Sequence, residues 1–251
     1  LSGTPDGTEL LTVVPLEEAI YDAAGNTASA TQSNNTINLK DKTPATILSA
    51  SIASNSSVSA TFSEMVFSKN NGSGALDSAD FVFSLSGGTA TLSKTYPTSI
   101  SVTGNTYTMG IGLSGTPDGS EVLTIALADS AIYDAASNIA SVTQNNNSTT
   151  LFDQKAPTIT SVSPSSDNSS IIVIFSEAVF SKSDGSGDLD TTDFVFSIQD
   201  GKATLASINP TSISASDSTY TLGIALSGIP DGKEVVTVAL VDSAIYDAAG
   251  T

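Results

Sequence analysis

The heptad Leu1-Ser-Gly-Thr-Pro-Asp-Gly7 returns unchanged at Leu113–Gly119, and again at Leu226–Gly232 with Ile229 in place of Thr. The offsets are 112 and 113 residues. Other landmarks keep the same spacing. Phe62-Ser-Glu64 matches Phe175-Ser-Glu177, Asp80-Phe-Val-Phe-Ser84 matches Asp193-Phe-Val-Phe-Ser197, and Ala19-Ile-Tyr-Asp-Ala-Ala24 recurs at 131–136 and 244–249. A period of this length is too long for a solenoid repeat and has the size of an independently folding domain. The sequence therefore divides into a run of modules: residues 1–40 as the final strands of one, 41–152 as a complete one, and 153–251 as one lacking its last strand.

Inside the complete module the hydrophobic period is two. Ser57–Ser63, Asp80–Leu85, Thr89–Leu92, Thr106–Ile111 and Glu121–Leu127 alternate polar and apolar residues, and Thr46–Ser51 and Ile139–Thr143 extend the series. Turn residues separate these runs, which predicts about seven short strands. No stretch reads as a long helix, although Ala131–Ala136 has the length of one helical turn. The fold class expected is all-β, as tandem immunoglobulin-like antiparallel β-sandwiches of about 112 residues each. Leu, Ile, Val and Phe make up about a quarter of the chain, enough for a packed core. The 42 Ser and 31 Thr residues would cover the outer faces, where Thr suits a strand.

Composition removes whole classes of function. The chain has no His, no Cys and no Trp, and all eight basic residues are Lys. That excludes a Ser-His-Asp triad, a cysteine nucleophile, an ordinary zinc site and an arginine finger. A net charge of −18 opposes nucleic acid and anionic membrane as partners. No apolar run approaches the roughly 20 residues of a bilayer-spanning helix, so direct membrane insertion is not expected. Glu64 and Glu177 each end a strand in Phe-Ser-Glu, and two carboxylates per module could in principle do glycosidase chemistry, but identical catalytic units in tandem without an aromatic sugar platform argue against an enzyme.

The acidic residues are what remains for chemistry, and they recur by position. Asp41 and Asp153 lie between the last strand of one module and the Pro that opens the next. Asp22, Asp134 and Asp247 sit in the loop before the last strand, with Asn26 and Asn138 four residues on in the first two copies. Loops meeting at a junction would offer carboxylate, amide and carbonyl oxygens, the donor set Ca²⁺ takes in six- to eight-fold coordination. The plain reading of the same residues is turn capping. A second acidic stretch, Asp184–Asp193, looks like a calcium loop. Its counterpart replaces two of the four Asp with Asn71 and Ala75, so a glycine-rich loop with a capped turn is the better reading.

The series Phe-Ser-Glu, Asp-Phe-Val-Phe-Ser, Leu-Ser-Gly-Thr-Pro-Asp-Gly and Tyr-Asp-Ala-Ala-Gly-Asn26 resembles the bacterial Ig-like tandem repeats of large secreted cell-surface adhesins and fibres, of the Bacteroidetes or marine-bacterial type. The resemblance covers the whole chain. It departs at Ser137-Asn138 and at Gly250-Thr251. It implies an extracellular, cell-surface location and a stalk or adhesive fibre whose partners are neighbouring modules. Calcium stiffens the junctions of several such adhesins, and the resemblance therefore points to Ca²⁺ here. A carbohydrate- or cell-binding array, with surface glycans as ligand, is the other function it allows. Ser78, Ser130, Thr191 and Ser243, each after an Asp, resemble O-glycan acceptors of the Bacteroidetes type. Asp-Ser is also an ordinary cap signal.

Residues 26–40 correspond to the part that the third module lacks. Either the sequence is a window on a longer array, which the in-phase repeat at both ends favours, or residues 26–40 of one chain complete the sandwich of another.

Overall fold

In a computed structural model of the chain, residues 1–129, 132–241 and 245–251 are described. The protein is all-β with antiparallel pairing throughout. It forms two compact units. Unit 1 holds Leu1–Gly115 and Ser120–Leu151, and unit 2 holds Thr116–Gly119 and Phe152–Thr251.

Unit 1 begins with β1 (Leu10–Thr12) and β2 (Thr36–Asn38), which pair with each other alone. There follow β3 (Ile47–Ser54), β4 (Ser57–Phe62), β5 (Phe81–Ser86), β6 (Thr91–Leu92), β7 (Ile100–Thr103), β8 (Thr106–Gly110), β9 (Leu113–Ser114), β10 (Val122–Leu127) and β11 (Ser148–Thr150). One sheet has the order β3-β4-β8-β7 and another β11-β10-β5, with β6-β9 as a small pair. Unit 2 holds β12 (Ile159–Pro164), β13 (Ser170–Phe175), β14 (Phe194–Gln199), β15 (Thr204–Leu205), β16 (Ile213–Ser216), β17 (Thr219–Gly223), β18 (Leu226–Ser227) and β19 (Val235–Leu240). Its sheets repeat the plan as β12-β13-β17-β16, β14-β19 and β15-β18.

The period-two pattern explains the layering. Along β4, Val58, Ala60 and Phe62 are buried while Ser57, Ser59 and Thr61 face outward. The outward hydroxyls meet across strands, Ser59 with Thr108 and Thr61 with Thr106, both at 3.0 Å. The inward residues of β4, β8, β5 and β10 join one apolar cluster, so the core lies between two sheets, consistent with a β-sandwich. Phe62, Phe81 and Tyr107 form its aromatic centre, with ring centroids 5.7–6.5 Å apart. The Tyr107 hydroxyl donates to Val66 O, which lets a phenol sit in the core without an unpaired polar atom. Phe175, Phe194 and Tyr220 repeat this in unit 2, with Tyr220 donating to Val179 O.

Two local expectations are corrected. Ile139–Thr143 is not a strand: only Ile139 pairs, with Tyr133, and the last strand of the module is β11. The Tyr133–Ala136 stretch is not a helical turn either, since Tyr133 bridges both Phe67 and Ile139 and the chain then turns tightly around Asp134. Turn donors captured by the Asp134 carboxylate outcompete helix there.

Candidate metal centre

Each unit gathers one carboxylate from a linker, one from a strand end and one from a tight turn. In unit 1 these are Asp41, Glu64 and Asp134, each offering a carboxylate oxygen within 4.8 Å of the others. In unit 2 they are Asp153, Glu177 and Asp247, within the same distance.

The turn residue is the most fixed. Asp134 is fully buried. Its Oδ1 accepts from the backbone N–H groups of Ala136 and Asn138, both at 2.8 Å, and its Oδ2 accepts from Asn138 Nδ2 at 2.8 Å. Asp247, also fully buried, takes the same bonds from Ala249 N at 2.8 Å and Thr251 N at 2.9 Å, with the Thr251 hydroxyl replacing the Asn amide. Burial pushes the Asp247 carboxyl up, but the Thr251 hydroxyl and the backbone donors outweigh it and hold the group below its usual range. Asn138 thus spends its amide as a latch on Asp134.

The linker residue is set by the repeated heptad. Asp41 Oδ1 accepts from Thr43 N at 2.8 Å, and Lys42 N and Thr43 Oγ1 both donate to Pro5 O. Gly7, at φ +83°, lies so close that a Cβ there would stand 3.3 Å from Asp41 Cβ. In unit 2, Asp153 Oδ1 accepts from Lys155 N at 2.9 Å, Gln154 N donates to Pro117 O at 3.0 Å, and Gly119 closes in the same way. A glycine is required at both places for its positive φ and for this approach.

The strand-end glutamates complete the clusters. Glu64 follows β4 two residues after Phe62, and Glu177 follows β13 likewise. Burial raises the Glu64 carboxyl above its usual range, and the charges of Asp134 and Asp41 push it further. Burial, then Asp153 and Asp247, raise Glu177, with Ser176 and Lys155 partly opposing. Three like charges this close favour either a proton on the glutamate or a cation between them. The donors are all oxygen, which suits a hard cation and not a soft one. Both clusters could therefore hold a metal ion.

The structure brings Asp41 together with Asp134, and Asp153 together with Asp247. It leaves Asp22 and Asn26 apart. Asp22 makes the same turn, accepting from Ala24 N, Asn26 N and Asn26 Nδ2, but it is exposed and joins no acidic cluster among the described residues. The Asn26 side-chain and backbone donors lower its carboxyl below the usual range. Glu64 and Glu177 were not expected as ligands, yet their recurrence in Phe-Ser-Glu was the same kind of signal that marked the aspartates. Of the O-glycan candidates, Ser78 and Thr191 open short 3₁₀ turns that Asp77 and Asp190 cap reciprocally with Asp80 and Asp193. Ser130 and Ser243 lie outside the described residues. Comparison with protein-family models, with curated proteins and with solved structures finds no match.

Proposed function

We propose that the chain is a structural and adhesive repeat region of an extracellular surface protein or filament, built of tandem Ig-like sandwiches that bind Ca²⁺ at the two carboxylate clusters. The observation that carries this reading is recurrence. The same order in the four-stranded sheet and the same trio of carboxylates occur in both units, with one member of each trio on the linker entering the module. A building unit repeats in this way, whereas a dedicated receptor domain differs from its neighbours. The absence of His, Cys and Arg from the sequence supports a non-catalytic role. In each cluster the three residues would supply carboxylate oxygens, water would fill the remaining positions, and the ion would tie the linker to the turn and the strand end.

Thermal unfolding in chelator and in millimolar Ca²⁺ tests the metal. Calcium is expected to raise the midpoint by several degrees, and an unchanged midpoint sinks the calcium part of the proposal. Antibody labelling of intact producing cells tests location. A glycan array tests the carbohydrate-binding reading, which a specific hit on these repeats would put first. The intact mass of the native protein tests Ser78 and Thr191 as glycan carriers, and a mass equal to the polypeptide's would end that idea.

A further inference from the structure

Units 1 and 2 build the same exposed hairpin tip from different residues. Lys69 and Ser73 bridge across Asn70-Asn71-Gly72, and Lys182 and Ser186 bridge across Ser183-Asp184-Gly185. Gly72 N donates to Lys69 O at 3.3 Å, and Gly185 N to Lys182 O at 3.2 Å. The glycines have φ of +69° and +70°, the left-handed conformation that ends a three-residue hairpin loop. A hydroxyl closes each tip: Ser73 Oγ donates to Asn71 Oδ1, and Ser186 Oγ to Asp184 Oδ1. At the position before the glycine, the two tips differ by an amide against an acid.

Asn71-Gly72 is the one Asn-Gly pair in the sequence. Asn71 is exposed, so water reaches its amide. Gly72 has no side chain to obstruct its own nitrogen, and that N–H is held only by the long bond to Lys69 O.

We propose that Asn71 is a self-modifying site. Gly72 N attacks Asn71 Cγ, the Cγ–Nδ2 bond breaks, and ammonia leaves with the proton that the Gly72 N–H gives up. Water then opens the succinimide ring at one of its two carbonyl carbons. An aspartyl or an isoaspartyl residue is left at position 71. The net change is amide plus water to acid plus ammonia, with no oxidant and no cofactor. Holding both groups in one tip makes the attack intramolecular. Ser73 Oγ donates to the oxygen on which negative charge develops as the nitrogen adds, so this hydrogen bond favours the transition state.

The unit 2 tip shows how the aspartyl product is accommodated. The Ser186 hydroxyl foremost, and Lys182 beside it, hold the Asp184 carboxyl below its usual range. Lys69 occupies the place of Lys182, so a new carboxylate at position 71 meets the same hydroxyl and the same cation. The isoaspartyl product fits less well, because it inserts a methylene into the backbone of a docked tip. Ser137 Oγ donates to Asn70 O, and a Cβ on Gly72 would stand 3.3 Å from Ala135 O. These contacts seat the tip on the turn that carries Asp134. The reaction therefore adds a negative charge to unit 1 and, in one of its two products, loosens that seat.

The test incubates the full chain at mildly alkaline pH and follows it for weeks. Trypsin releases residues 70–94, in which mass spectrometry locates the amide-to-acid shift, and an isoaspartyl methyltransferase marks the isoaspartyl form. Conversion at Asn71 is expected at least tenfold faster than at Asn70. Ser73→Ala is expected to slow it several-fold in the folded chain and not in urea. Asn71→Asp should keep the wild-type melting midpoint, and the chromatographically separated isoaspartyl form should melt lower. Conversion at Asn71 no faster than at Asn70 overturns the proposal. So does a folded Ser73→Ala chain that converts at the wild-type rate, or an Asn71→Asp chain that melts with the isoaspartyl form.

Discussion

Replacing Glu64 with Gln separates what the carboxylate cluster costs from what a cation returns. Glu64 faces two carboxylates within 4.8 Å. Two unit charges at that distance repel by about 0.9 kcal/mol in a water-like dielectric, and by roughly four times that at an effective constant near 20. Glu64 is partly exposed, so the lower figure applies to each pair. In chelator, Glu64→Gln should therefore stabilise unit 1 by about 1–2 kcal/mol, or roughly 5 °C or more for a module of this size. The sign follows from linkage. The folded state raises the Glu64 carboxyl, so its unfavourable contribution is absent below the unfolded value and grows as pH rises through the raised one. Under the proposed calcium binding the order should reverse. At a hundredfold excess over its Kd, a bound ion adds about 2.7 kcal/mol to the wild type, and the variant should lose most of that. Hydrogen exchange read by mass spectrometry separates β8 of unit 1 from β17 of unit 2, where the intact Glu177 cluster serves as internal control. If Glu64→Gln destabilises unit 1 in chelator, or leaves its calcium response unchanged, the electrostatic account is wrong.

Three further outcomes are expected. Leu151→Ala should cost unit 1 about 3 kcal/mol in urea denaturation, because Leu151 is a nearly fully buried side chain that ties the last strand to the core. Gly88→Ala should cost about 1–3 kcal/mol, since φ there is +59° and a Cβ would fall 2.1 Å from the carboxyl group of the fully buried Glu121. Glu234 accepts from the N–H groups of Lys202, Ala203, Asp231 and Gly232, and the Ala203 donor foremost holds its carboxyl at about 2. Its contribution is present above the unfolded value of 4.5 and is lost as pH falls toward 2, so Glu234→Gln should flatten the urea midpoint of unit 2 across that window.

Strands whose neighbours alternate in polarity were legible from the residues alone. Ser57–Phe62 and Val122–Leu127 fall where the pattern put them, because one face of each meets the core. Ile100–Thr103, Leu113–Ser114 and Ser148–Thr150 were not legible. They are short strands at sheet edges or in a minor pair, where few buried positions exist to impose a period. For the candidate site, register across the repeats located Asp41, Asp134, Asp153 and Asp247. It could not say that Asn138 would turn its amide onto Asp134, nor that Glu64 would point where Asp41 and Asp134 converge. Spacing along the chain fixes which residues recur, while convergence depends on a strand end, a linker and a turn meeting in space.

The bond from Ile47 N to Gln144 Oε1 joins the first strand of the module to the segment that precedes its last. β3 and β11 are edge strands of different sheets. A pull applied at the two ends of the module therefore cannot peel one hairpin apart, rung by rung. The load has to pass from sheet to sheet, through this amide bond and the interlocked side chains of the core, so that many weak contacts yield together. Mechanical resistance in such a module is then set chiefly by packing, with the cross-strand hydroxyl pairs of the outer face, Ser59 with Thr108 and Thr61 with Thr106, as a smaller addition.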